Sequence, residues 1–198
     1  MKKVPLGILL AAGKSARFGS NKLLHPVIDN TPMVLVSAKK LVSVLPLSIV
    51  VINPSLSTLK TPLEKMGLRV VINEQAEQGM GSSIACGVRA STSGTEAFSE
   101  STSGWLIMLA DMPYIKPETI KLLADKLEQG ASLVAPLLDQ QRGHPVGFSP
   151  CFKDELLALN KNMGARQILK NYQSELELIP VNDKGTIIDI DYRKDVLS

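Results

Sequence analysis

The feature that most constrains this chain is the regular exchange of short β-branched apolar runs with helix-like amphipathic stretches. Leu6–Leu10, Leu47–Ile52, Leu68–Ile72, Trp105–Ala110 and Ser132–Ala135 read as buried strands. Between them the spacing predicts helices from Thr31-Pro32 to about Leu45, around Leu56–Met66, over Gly81–Ala90, and from Pro117 to Gln129 with Gly130 ending the last. For the first helix, Thr31 is the expected N-cap and Pro32 the first helical residue. Strands and helices in this order predict an α/β fold, a mostly parallel sheet covered on both faces. Ligand sites of such sheets lie beyond the carboxyl ends of the strands.

After Pro136 the pattern breaks up. A polar loop (139–143), an extended piece (145–148), two short helices and two short strands are expected there, the last strand being Ile187–Asp191. This part reads as a β-rich excursion over the site. The polar, low-complexity segment 91–104 reads as a mobile surface loop between a helix and a strand.

A length of 198 residues with 44% hydrophobic residues fits one domain spanning 1–198 with an ample core. A formal net charge of +3 is too weak to argue for nucleic acid or a membrane surface, and at 4% aromatics there is little to stack bases on. Cys86 and Cys151 lie far apart, which predicts free thiols in a reducing compartment. The apolar run after Lys2 and Lys3 is interrupted by Pro5 and ends at Gly13, short of a signal peptide. The expectation is a soluble cytoplasmic protein.

Five stretches carry chemistry. Leu10-Ala-Ala-Gly13, with Lys14, Arg17 and Lys22 following, joins small residues to cations directly after a strand. Such a loop suits phosphate, since close backbone approach and successive N–H groups favour an anion. It is neither a Walker A loop nor G-x-G-x-x-G, and a flexible loop with solvated cations is the plainer alternative. Asp111, in Leu109-Ala-Asp-Met-Pro113, ends an almost wholly apolar strand. It is either a hard oxygen ligand for Mg2+ beside phosphates or the cap of the next turn. Asp189 and Asp191 alternate with Ile190, so both carboxylates share one face of the expected strand. They complete a metal site with Asp111 or form a solvated edge.

The two remaining stretches are loops. Glu77-Gln-Gly79-Met80-Gly-Ser82-Ser83 enters a helix, where it either caps that helix or meets a ligand. Gly143-His144-Pro-Val-Gly-Phe148 carries one of only two histidines, placed to contact a substrate or to brace its loop. His25, Cys86 and Cys151 offer no zinc spacing, and G-x-S-x-G is absent.

Taken together, Leu10-Ala-Ala-Gly-x-Ser-x-Arg-x-Gly-x-x-Lys22 resembles the signature of nucleotidyltransferases. With Gly79-Met-Gly-Ser-Ser83, Asp111-x-Pro113, Gly143-His-Pro-Val146, Gly164-Ala-Arg166 and Asp189-Ile-Asp191, the chain resembles the molybdenum cofactor cytidylyltransferase branch of the MobA-like NTP transferases. The resemblance runs in order along essentially the whole chain. It implies a Rossmann-like three-layer α/β/α fold and transfer of a nucleoside monophosphate from an NTP, CTP first, to the phosphate of molybdopterin or molybdenum cofactor.

It also implies roles. Leu10, Ala11, Ala12 and Gly13 would hold the nucleotide, with Arg17 and Lys22 on its phosphates. Gly79, Met80, Ser82 and Ser83 would contact the base. Asp111 and Asp191 would bind Mg2+, helped by Asp189, and Gly143 and His144 would face the acceptor. Arg17, Lys22 and Asp111 would be the catalytic set. Lys161-Asn162-Met163 departs from the branch, which carries a Gly-Asp pair there, and the difference falls on the acceptor side. Sibling readings are guanylyl transfer to the same cofactor and cytidylyl transfer to a sugar or polyol phosphate. A different class is a non-catalytic cofactor chaperone for a molybdenum hydroxylase.

Overall fold

A computed structural model describes residues 3–13, 18, 21–93, 102–160 and 164–196. The strands are β1 (Val4–Ala11), β2 (Pro26–Ile28), β3 (Thr31–Pro32), β4 (Ser48–Ile52), β5 (Arg69–Ile72), β6 (Thr102–Leu109), β7 (Leu133–Leu138), β8 (Gln141–Arg142), β9 (Val146–Phe148) and β10 (Leu176–Pro180). The α-helices are α1 (Met33–Val44), α2 (Lys60–Lys65), α3 (Met80–Thr92), α4 (Pro117–Glu128), α5 (Lys153–Leu157) and α6 (Ala165–Asn171).

The main sheet runs β10-β7-β9-β6-β1-β4-β5, with β8 paired to β7. β1, β4, β5 and β6 are mutually parallel where they meet, and β9 is antiparallel to both β6 and β7. Alternation along β1 sorts its side chains into two cores. Leu9 and Ala11 join the core of α1 and α4, whereas Leu6, Ile8 and Leu10 join that of α3, α5 and α6. Three layers result, as the strand and helix order predicts. Helix α4 shows why such helices form here: Ile120, Leu123, Ala124 and Leu127 are all buried on one stripe. Each large side chain buried this way contributes roughly 1.5–3 kcal/mol.

The first helix differs from expectation at its start. Asp29 and Asn30 both have positive φ (48° and 56°) and turn β2 back on β3, so Thr31 and Pro32 are strand, not cap and first turn. Pro32 occupies the N-cap position without a side-chain hydrogen bond. A second turn of this kind, at Asp139 and Gln140, makes the expected polar loop into the β7–β8 hairpin. The segment around Leu56–Met66 is a 3-10 stretch (Pro54–Leu59) followed by the short α2. Ile187–Asp191 is not a strand: a 3-10 turn (Lys184–Ile187) gives way to irregular backbone. Helix α3 takes in Ser91 and Thr92, and β6 already begins at Thr102; residues 94–101 of the polar segment lie outside the described residues. Both cysteines are free, and among the described residues no helix is long and apolar enough to cross a membrane.

Candidate active site

The parallel strands finish level. Ala11 pairs with Ile52, Leu10 with Leu109, and Ile52 with Ile72, so the segments after β1, β4, β5 and β6 leave from one edge. From β1 the chain steps to β4 and β5 on one side, then to β6 on the other. The crevice of an open sheet forms at such a reversal. A cavity of about 360 Å³ opens there, lined by Leu10, Ala12, Gly13, Lys22, Leu23, Ala76, Glu77, Gly79, Met80, Ser83, Leu109 and Asp111. That volume and the apolar walls suit a small organic ligand.

Lys22 is the centre of charge at this cavity. Its 3-10 turn (Lys22–Leu24) is capped by the Asn21 side chain, which accepts from the Leu23 N–H. Only 8% of the residue is exposed. Its ammonium donates to Asp111 Oδ2 and to Asp191 Oδ1, each at 2.8 Å. Burial alone pulls the Lys22 pKa down, but the charges and hydrogen bonds of the two aspartates outweigh it and hold the pKa above the usual lysine value.

Asp111 and Asp191, 80 positions apart, are joined through the backbone as well. The Ile190 N–H donates to the Asp111 carbonyl at 3.0 Å, with the Ile190 side chain fully buried. Asp195 Oδ2 accepts from the N–H groups of Asp191 and Tyr192, fixing the next turn. On the other side α1 grips the end of β6: Ser37 Oγ donates to the Ala110 carbonyl and Lys40 Nζ to that of Pro113. Further along, buried Asp183 accepts from the Lys116 N–H, the Thr119 hydroxyl and the Gly185 N–H. Ser37, Lys40, Asp183 and Asp195 carry no motif that a single sequence displays.

Two carboxylates, with no group of three His, Cys, Asp or Glu able to hold an ion among the described residues, define the donor chemistry. That set suits a hard divalent cation which completes its shell with phosphate oxygens and water. Both oxygens already face one point at 2.8 Å, so closing onto Mg2+ at about 2.0–2.1 Å needs less than an ångström from each. Asp189 is exposed and does not join them.

The 79–83 loop is built from β5. Asn73, 5% exposed, donates through Nδ2 to the hydroxyls of Ser82 and Ser83. Gly79, at φ +93°, turns the chain into α3 in a conformation that L side chains rarely adopt. Gly79, Met80 and Ser83 line the cavity, whereas the Ser82 hydroxyl is used on the Gln75 and Gly79 carbonyls. Ala11 faces the α1 core instead of the cavity.

Gly143 and His144 stand apart from the cavity lining. A Cβ at Gly143 would come within 2.4 Å of the Thr186 carbonyl, so only glycine fits against that turn. The His144 N–H donates to the same carbonyl, and its Nδ1 is buried without a hydrogen-bond partner among the described residues. Burial, then the charge of Arg142, push the imidazole pKa down, against Asp111 and Asp189. Burial and Arg166 in turn lower that of Arg142, so two arginines are neighbours on this side. Arg17 and Lys161-Asn162-Met163 lie outside the described residues.

The mostly parallel sheet, its reversal and the cavity at its carboxyl edge define a Rossmann-like α/β fold. Residues 7–176 match the MobA-like NTP transferase domain model; the chain belongs to that family and is a nucleotidyltransferase. It is 29% identical to "Purine catabolism protein PucB" of Bacillus subtilis over 94% of this chain and 91% of that protein. It is also 29% identical to a "Probable molybdenum cofactor guanylyltransferase" of Thermococcus sibiricus, over 65% of this chain and 59% of that protein. Among solved structures, Rv0371c of Mycobacterium tuberculosis superposes with a TM-score of 0.83 at 22% identity, covering 98% of this chain and 96% of that one. Its complex with manganese superposes with a TM-score of 0.76 at 20% identity, over the same shares.

Proposed function

We propose that this chain transfers a nucleoside monophosphate from an NTP, CTP first, to the terminal phosphate of molybdopterin or molybdenum cofactor, with Mg2+ as cofactor. The observation that carries the proposal is the Lys22–Asp111–Asp191 group, of which Lys22 and Asp111 line the cavity. An acceptor phosphate oxygen attacks the α-phosphorus; the new P–O–P bond forms as the α–β bond breaks and pyrophosphate leaves. The acceptor is ionised at neutral pH, so no strong general base is needed. The protein's part is to align two anions and neutralise their charge.

Leu10, Ala12 and Gly13 line the cavity and would hold the nucleotide, and Gly79, Met80 and Ser83, also on its wall, would lie against the base. Lys22 and Arg17 neutralise phosphate oxygens. Asp111 and Asp191 would hold the metal, which would supply a Lewis acid for those oxygens. Gly143 and His144 face the acceptor, with Arg142 and Arg166 adding positive charge beside them. Guanylyl transfer to the same acceptor is the second reading, favoured by the name of the Thermococcus relative.

The test is pyrophosphate release with CTP, GTP, ATP and UTP, each with and without the pterin acceptor, with and without Mg2+. Release with CTP that requires acceptor and metal is the expected result. Release with GTP alone replaces the cytidylyl reading by the guanylyl one. Release with CTP and a sugar phosphate replaces the acceptor. Binding of an NTP and pterin without turnover fits a chaperone for a molybdenum hydroxylase.

A further inference from the structure

We infer that Lys22 is the exchangeable counter-ion of the two metal carboxylates, and that it leaves Asp111 and Asp191 for the polyphosphate when a divalent cation enters. This rests on the proposed nucleotidyl-transfer reading and adds an order of events to it. The ammonium is 2.8 Å from one oxygen of each carboxylate. That is the separation of a hydrogen-bonded ion pair, and a cation bound to the same two oxygens would lie within the radius of the lysine nitrogen. The two cannot share the position.

Charge gives the exchange its direction. Counted over these three side chains alone, one ammonium against two carboxylates leaves a single net negative charge. Adding a divalent cation reverses that sign, and two cations of that size in one small, partly buried space repel each other. The lysine therefore has to move. Its side chain lines the cavity together with Gly13 and Asp111, so the move is a rotation of a flexible four-carbon stem toward the space between them. A triphosphate there offers the displaced ammonium new oxygen partners. Without a nucleotide those phosphate oxygens are absent, and the metal must compete against a well-made ion pair.

Two consequences separate this role from that of a plain phosphate-binding lysine. Free divalent cation binds weakly to the nucleotide-free protein because Lys22 opposes it. Metal and NTP then bind with positive coupling, since each removes an obstacle to the other.

The experiment uses the full chain without nucleotide and follows Mn2+ binding by electron paramagnetic resonance, in wild type, Lys22→Gln and Lys22→Arg. Lys22→Gln should bind Mn2+ about 5- to 150-fold more tightly than wild type, the usual range of such couplings. Lys22→Arg, which keeps a competing cation, should stay near wild type. Asp191→Asn added to Lys22→Gln should abolish the gain and so assign it to this pair. A pulse of amine-acetylating reagent read by mass spectrometry supplies the second measurement. Lys22 should be shielded in the free protein and labelled at Mn2+ concentrations that fill the site.

Equal Mn2+ affinity in wild type and Lys22→Gln overturns the exchange. So does a tighter Lys22→Gln accompanied by a wild-type Lys22 that stays shielded at saturating Mn2+, because that is a field effect without displacement. The pyrophosphate assay keeps the two ideas apart. Metal-dependent transfer with no change in Mn2+ affinity sinks the exchange alone, whereas tighter Mn2+ binding without transfer from any NTP sinks the catalytic reading alone.

Discussion

At the scale of single residues, Lys22, Asp111 and Asp191 form an ion-paired group beside the cavity from distant parts of the chain. Replacing Lys22 by Ala should lower turnover by about two to four orders of magnitude, as for loss of one preorganised electrostatic stabiliser. Steady-state pyrophosphate release measures it, and an unchanged rate removes Lys22 from the mechanism. Together with the Mn2+ experiment, the expected result is that deleting Lys22 weakens catalysis and strengthens metal binding, a combination no purely structural lysine gives. His144 makes a separate prediction. Its pKa is held below the ordinary value near 6.5, so the unfolded chain takes up the proton first as pH falls. Stability is therefore complete above that value and declines as pH drops from about 6.5 toward the folded-state pKa. Thermal unfolding between pH 7.5 and 5, compared with His144→Gln, should show a slope in wild type that the variant loses in part.

At the scale of elements, the site depends on how α1, α4 and the 183–195 segment clamp the turn after β6. Ser37 and Lys40, one helical turn apart on α1, hold the Ala110 and Pro113 carbonyls. Asp183 ties the 183–191 segment to the start of α4 through three donors. Asp183→Ala leaves the buried Thr119 hydroxyl and two N–H groups without their acceptor, which should cost about 2–3 kcal/mol. In a chain of this size that is a Tm lower by roughly 4–12 °C in a calorimetric scan. Asp183→Asn, which keeps an acceptor, should recover part of it. The elements also mark where local sequence reading has its limits. The Asp29-Asn30 turn converts an apparent helix cap into a hairpin, because positive φ at two adjacent residues fits a reversing ribbon. Within Ile187–Asp191, Ile190 is buried and Asp189 exposed, yet the segment pairs with no strand among the described residues. Alternation reports which side faces the core, and only a neighbouring edge makes it a strand.

At the scale of the whole molecule, a ligand that binds only the folded state raises stability by mass action. An NTP with Mg2+ at about 100 times its Kd should add about 2.7 kcal/mol, or roughly 5–11 °C in Tm for a chain of this size. Ranking CTP, GTP, ATP and UTP by that shift reads the base preference without any acceptor; equal shifts would place recognition on the phosphates alone. The sequence by itself determined the layered α/β class, since β-branched runs and helical stripes report burial locally. It also placed small residues directly after β1 and a carboxylate just beyond β6, since residue type and strand end are local facts. Tertiary structure alone decided that Lys22 lies between Asp111 and Asp191, with 89 and 169 positions of chain separating it from them. It likewise decided that Asn73 braces the 79–83 loop, that Ser82 turns inward to its own backbone, and that Asp189 stays outside the carboxylate pair. Those outcomes depend on distances closed by the sheet order and by a few buried hydrogen bonds, and such distances have no local signature in the chain.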